Sequence, residues 1–136
     1  MTAIFLADDV AAAISRSHLD ELKKLATAAP KRRARYCLHA DHDDPIQEMI
    51  IAFHRSSTVP AHRHPGKAES FHLVEGCVCV TCYDDAGDIT LRVEMDSTDA
   101  DSAQILKIPV ATWHEVEVRT EFAVVHEVSA GPFREE

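Results

Sequence analysis

Four residues of this chain have the types and the spacing to hold a metal ion. His62 and His64 lie two apart, so on an extended strand both imidazoles project to one side. Pro65-Gly66 then breaks the strand and turns the chain. Glu69 opens the returning apolar run, beside the two histidines. His114 supplies a fourth donor downstream, where the apolar run 105–110 has ended. Imidazoles and a carboxylate suit one divalent transition metal, with Fe, Mn, Ni and Zn indistinguishable by ligand type. Such a set leaves about one or two positions open on the ion, the mark of a catalytic rather than a structural site. Any one of these histidines alone reads more simply as a core or surface residue. The joint spacing is what favours a metal.

A second group is basic. In the alternating stretch 31–39, Arg33, Arg35, Cys37 and His39 share one face if the chain is extended, and Tyr36 and Leu38 share the other. Arg33, Arg35 and His39 can hold the anionic end of a substrate, since arginine meets carboxylate and phosphate bidentately. The same pattern equally fits the wet face of an edge strand. Lys67, between the ligands, could reach the barrel mouth, although a solvated turn lysine is the simpler reading. His72 is opposite Glu69 in the strand alternation and is expected outside. His18, His42 and His54 are surface candidates.

The elements that must position these residues are short. An edge strand is expected at 3–6, then a helix opened by Ser17 as its cap and stopped by Pro30. Leu19, Leu22, Leu25 and Ala26 make its apolar stripe. Strands are expected at 47–54, 59–64, 71–74, 77–83, 89–95, 104–108, 113–118 and 122–128, with a hairpin turn at 84–88 and an acidic loop at 96–102. Many short strands behind one helix indicate an all-β jelly roll or barrel. Pattern alone leaves sandwich and barrel undecided.

The motifs carry a resemblance. His62-x-His64, four residues, Glu69, six residues, Gly76 resembles the first cupin motif. Pro109-x-Ala111-x-x-His114 resembles the second, with Ala111 where the family usually has Gly. Ser56 and Val118 stand where the family's leading Gly and its second-motif Asn usually lie. None of these departures touches a ligand position. The resemblance implies an all-β cupin double-stranded β-helix with a short N-terminal helix and the ligands in the barrel mouth. It divides the chain into an N-terminal helical extension over 1–30, packed on the barrel, and one barrel domain over 31–136. The helix, the basic stretch ending in His39 and the closing Glu127-x-x-x-Gly131-Pro132-Phe133 narrow the likeness to the WbuC-type small cupins. That family is linked to surface-polysaccharide gene clusters and hints at a sugar-related substrate. One of its Asn positions carries Cys37 here.

Composition sets the outer bounds. A length of 136 residues suits one domain with one real core. A net charge of −9 argues against binding a phosphate backbone, which needs a basic surface. No apolar run approaches the ~20 residues of a membrane helix. The first nine residues have no basic start and reach acids at once, so no signal peptide is expected. The expected setting is the cytoplasm. The expected partners are a small-molecule ligand and at most a second copy in a homodimer, with no nucleic acid and no membrane. Cys79 and Cys82 lie three apart on a strand, hence on opposite faces, and read as buried reduced thiols.

Three function classes follow. The first is a metal-dependent enzyme, an isomerase, epimerase or dioxygenase-type cupin, acting on a small polar molecule such as a sugar or sugar phosphate. The second is a non-catalytic module in which the metal orients a sugar or acid. The third, a metal-free epimerase working through a His–carboxylate pair, is disfavoured by the intact quartet.

Overall fold

The computed structural model describes residues 2–6 and 11–133. Among these residues, one helix and ten strands run in the order β1 Thr2–Phe5, α1 Arg16–Ala28, β2 Arg33–Cys37, β3 Ile46–His54, β4 Val59–His62, β5 Glu69–Glu75, β6 Cys77–Tyr83, β7 Ile89–Asp96, β8 Ile105–Ile108, β9 Trp113–Val118 and β10 Phe122–Ala130. They form a six-stranded sheet ordered β1-β2-β3-β10-β5-β8 and a four-stranded sheet ordered β4-β9-β6-β7. The architecture is a cupin jelly roll.

Alternation decides which side chains enter. On β5, Glu69, Phe71 and Leu73 are buried while His72 is exposed. On β6, Val78, Val80 and Cys82 join the interior core. Cys79 is buried on the other face, between Glu94 and Glu117 in register, so the two thiols do face apart. Each large apolar side chain taken out of water here contributes about 1.5–3 kcal/mol.

Strand β3 is buried without interruption from Met49 to Phe53, because both of its faces are covered. Met49, Ile51 and Phe53 enter the barrel. Ile50 and Ala52 turn outward and pack under α1 with Leu22, Ala26, Ala34 and Tyr36. The helix therefore covers the outside of the six-stranded sheet and does not close the barrel mouth. Its cap is Ser15, not Ser17: the Ser15 amide donates to His18 Nδ1 at 3.0 Å, a reciprocal capping arrangement in which histidine takes the glutamate's place.

The sheet edges carry the residues that tolerate an edge. Strand β1 lies outermost and pairs in parallel with β2. Pro60 lies on β4, the edge of the four-stranded sheet, where its missing N–H costs no central ladder bond. At Gly76, φ is +95°, and a Cβ would stand 2.4 Å from the Phe122 carbonyl oxygen. Only glycine fits there.

Candidate metal centre

The ligand loop leaves β4 at His62 rather than continuing as strand to His64. A register irregularity lies between Val59 and His62, and it brings His62 opposite His114 of β9. Irregularities of this kind re-aim side chains beside functional sites. The His62 and His114 ring centroids are 4.2 Å apart, and those of His62 and His64 are 5.0 Å apart. Glu69 enters from the start of β5, so the cluster draws on both sheets. The four donor atoms all lie within 4.8 Å of one another.

Hydrogen bonds orient the rings. His62 Nδ1 donates to the Pro60 carbonyl at 2.9 Å, and His114 Nδ1 donates to the Thr112 carbonyl at 2.9 Å. Each bond leaves Nε2 directed at the cluster, the usual outer support of a metal-binding histidine. The second support is a turn. The Ala111 amide donates to the His64 carbonyl at 3.0 Å, which ties the two ligand segments together. Ala111 does so with φ at +60°, in the left-handed region where glycine is at home. The family's usual glycine at this position has its explanation there.

The electrostatics are those of a site held together around positive charge. His114 Nε2 lies 2.9 Å from Glu69 Oε1, and His64 Nε2 lies 3.7 Å from Glu69 Oε2. Burial would lower His114, but its hydrogen bonds to Glu69 and to the Thr112 carbonyl raise it on balance. Burial would raise Glu69, yet hydrogen bonds from His114 and Glu127 bring it down to about 2. Burial pulls His62 below the usual imidazole range, and the neighbouring histidines add to this. The donor set fits a divalent first-row ion held by His62, His64, Glu69 and His114.

The quartet lies in the wall of a cavity of about 480 Å³. Arg33 and Arg35 line the same cavity. His39 does not line it: its Nδ1 accepts from the Glu48 amide at 3.0 Å, and its ring packs edge-on against Phe5. Lys67 is not a solvated turn residue. It enters the cavity, with Nζ 3.5 Å from Ser129 Oγ. Glu127 is the residue that motif spacing did not single out as part of a site. It donates to Glu69, and burial followed by the Glu69 charge raises it well above the carboxylate range. The alternation Val125, Glu127, Ser129 was the available signal, since all three line the cavity.

A two-sheet jelly roll on which three imidazoles and a carboxylate converge has the cupin fold and a candidate metal site. More narrowly, the model of a family described as a domain of unknown function (DUF6016) matches residues 14–95, more than half of the chain. The chain belongs to that family. The match includes His62, His64 and Glu69 and ends before His114.

Solved structures agree on the fold. The cupin domain of Schizosaccharomyces pombe Cnp3 is similar with a TM-score of 0.58 at 10% identity, over 74% of this chain and 61% of that one. Oxalate decarboxylase of Bacillus subtilis is similar with a TM-score of 0.55 at 17% identity, over 68% of this chain and 23% of that one. Procruciferin, an 11S globulin of Brassica napus, is similar with a TM-score of 0.54 at 14% identity, over 65% of this chain and 21% of that one. The chain thus spans about a fifth of the length of the latter two. No curated protein matches it. Among the described residues, no helix is long and apolar enough to cross a membrane.

Proposed function

We propose that this chain binds one divalent transition metal through His62, His64, Glu69 and His114, and that it is a metal-dependent enzyme acting on a small polar molecule such as a sugar or sugar phosphate. The observation that carries the reading is the convergence of the four donor atoms within 4.8 Å in the wall of a cavity large enough for a metabolite. The Bacillus subtilis oxalate decarboxylase, which shares the fold, has Mn(II) centres. Manganese is one of the four candidates, with iron, nickel and zinc. A link to surface-polysaccharide metabolism rests on the WbuC-type resemblance alone.

When bound, the metal supplies Lewis-acid polarisation of a coordinated substrate oxygen. The chain's own residues do the rest. The Pro60 and Thr112 carbonyls hold His62 and His114 with Nε2 available. Glu69 remains ionised and supplies the one anionic donor. Glu127 holds a proton against Glu69 on the cavity wall. The apolar walls, Phe53, Phe71 and Val116 among them, limit water around these groups.

A second reading, a non-catalytic binding module, draws on one observation. Among the described residues, the carboxylates lining the cavity are Glu69 and Glu127, and they are hydrogen-bonded to each other. Turnover of sugar phosphates with and without added metal separates the two readings.

Protein purified without nickel affinity steps is expected to carry close to one first-row metal per chain by elemental analysis. His62→Ala and His114→Ala each strip most of it, because the outer supports are useless without the donor. Unchanged metal in both variants refutes the assignment.

A further inference from the structure

Strand β2 carries Arg33 and Arg35 on one face, and its register decides which side that face meets. Arg33 stands opposite Phe53 of β3, and Arg35 opposite Ile51. Both partners belong to the interior core of the barrel. The two arginines therefore project inward, and both line the cavity that holds the metal quartet. Both side chains are half-buried, and their enclosed portions lack a polar partner. The Nε of each is buried with no hydrogen-bond partner. Among the described residues, neither forms an ion pair. The polar contact recorded for Arg35 is Nη1 at 3.6 Å from Met49 Sδ, a weak acceptor. A half-buried guanidinium that no carboxylate of the fold bonds keeps its donors available to an anionic ligand.

The charge balance of the cavity points the same way. Arg33, Arg35 and Lys67 are three cations against two carboxylates, Glu69 and Glu127. Even with both carboxylates ionised, one positive charge is in excess, and a divalent ion would raise the excess to three. This excess stands inside a chain whose formal net charge is −9. Apolar walls keep the local dielectric low, so the excess is strongly felt.

We propose that the cavity binds a small oxoanion, a carboxylate or a phosphate ester, with its anionic head on Arg33 and Arg35 and a further oxygen directed at the metal quartet. This specifies the substrate class of the site proposed above and rests on that reading for the metal end only. Two guanidinium forks on adjacent inward positions match the paired oxygens of either head group. Lys67 adds a third donor from the ligand loop.

The test titrates metal-loaded and metal-stripped protein by calorimetry with inorganic phosphate, with malonate, and with glucose as the neutral control. Wild-type protein binds phosphate or malonate and not glucose, and the preferred anion identifies the head group. Arg33→Met and Arg35→Met weaken that binding by at least about tenfold, with metal content unchanged. Arg35→Lys keeps the charge without the fork and falls between the two. Each Met variant removes a half-buried guanidinium that forms no ion pair, so the ligand-free protein melts near the wild-type temperature. A lower melting temperature in both Met variants would assign the arginines a structural role and overturn the inference. It is equally overturned if metal-loaded protein binds neither anion, prefers glucose, or binds anions as tightly without the arginines. If no metal is taken up but phosphate or malonate binding still depends on Arg35, the inference stands and the metal reading falls.

Discussion

At Ala111 a single methyl group sits where the turn wants none. Its φ of +60° costs a non-glycine residue about 1–2 kcal/mol. The turn is kept because the Ala111 amide must reach the His64 carbonyl. Ala111→Gly relieves that strain, while the freer unfolded chain takes back about 0.4–1 kcal/mol. The expected outcome of thermal denaturation is a net stabilisation of about 0.5–1 kcal/mol, with metal content unchanged. A lower melting temperature would mean that the methyl packs usefully and that strain is not what governs the site. Gly76 presents the opposite case, since its φ of +95° and the nearby Phe122 carbonyl leave no room for a side chain.

The helix is tied to the sheet by polar contacts as well as by its apolar stripe, and Lys23 Nζ of α1 donates to Glu75 Oε1 of β5 at 2.5 Å. The Tyr36 hydroxyl of β2 donates to Glu21 Oε2 of α1 at 2.8 Å. Burial, then the hydrogen bond to Glu21 and its charge, push Tyr36 up to about 12. The folded state therefore keeps a proton that the unfolded chain gives up near the ordinary tyrosine value of 10.0. Tyr36 thus adds a stability that is complete below pH 10 and fades as pH rises from there toward about 12. Tyr36→Phe should cost about 1 kcal/mol at neutral pH, since exposed Glu21 regains water. It should also flatten the alkaline decline of stability. Urea denaturation of both proteins across that range is the measurement, and parallel declines would exclude Tyr36 as the cause. Metal content is expected to be unaffected, because α1 covers the outer face of the sheet and not the cavity.

Across the whole molecule, the candidate metal would join the two sheets. Glu69 belongs to the six-stranded sheet, and His62 and His114 to the four-stranded one. An ion bound there meets its ligands together only in the folded state. At a hundredfold excess over its dissociation constant it adds about 2.7 kcal/mol. A chelator is therefore expected to lower the melting temperature while far-UV circular dichroism at 25 °C stays that of a β protein. The interior core, with Leu73, Val78, Val80 and Met95 nearly inaccessible to solvent, is enough to hold the barrel without the ion. A melting temperature unmoved by chelation would show that nothing bridges the sheets.

Much of this was legible in the chain itself. The spacing of His62, His64, Glu69 and His114 marked a donor set, and those four atoms converge. Strict alternation marked β6 and β9 at their observed bounds, and it placed His72 outside and Cys79 and Cys82 on opposite faces. Local pattern works there because period-two alternation is a property of the strand alone. It names two faces but does not say which one is inside. Arg33 and Arg35 were equally readable as an exposed edge until the register of β2 against β3 turned them into the barrel. His39, beyond the end of β2, escapes that register and binds the Glu48 backbone instead. Lys67 and Glu127 stand 60 positions apart, so no local signal could bring them to one cavity. Only the pairing of β10 with β5 sets Glu127 opposite Phe71 and Ser129 opposite Glu69. The residues that could bind metal were thus written in local spacing. The residues that could bind whatever meets the metal were decided by closure of the sheets, because long-range strand pairing alone determines what faces the cavity.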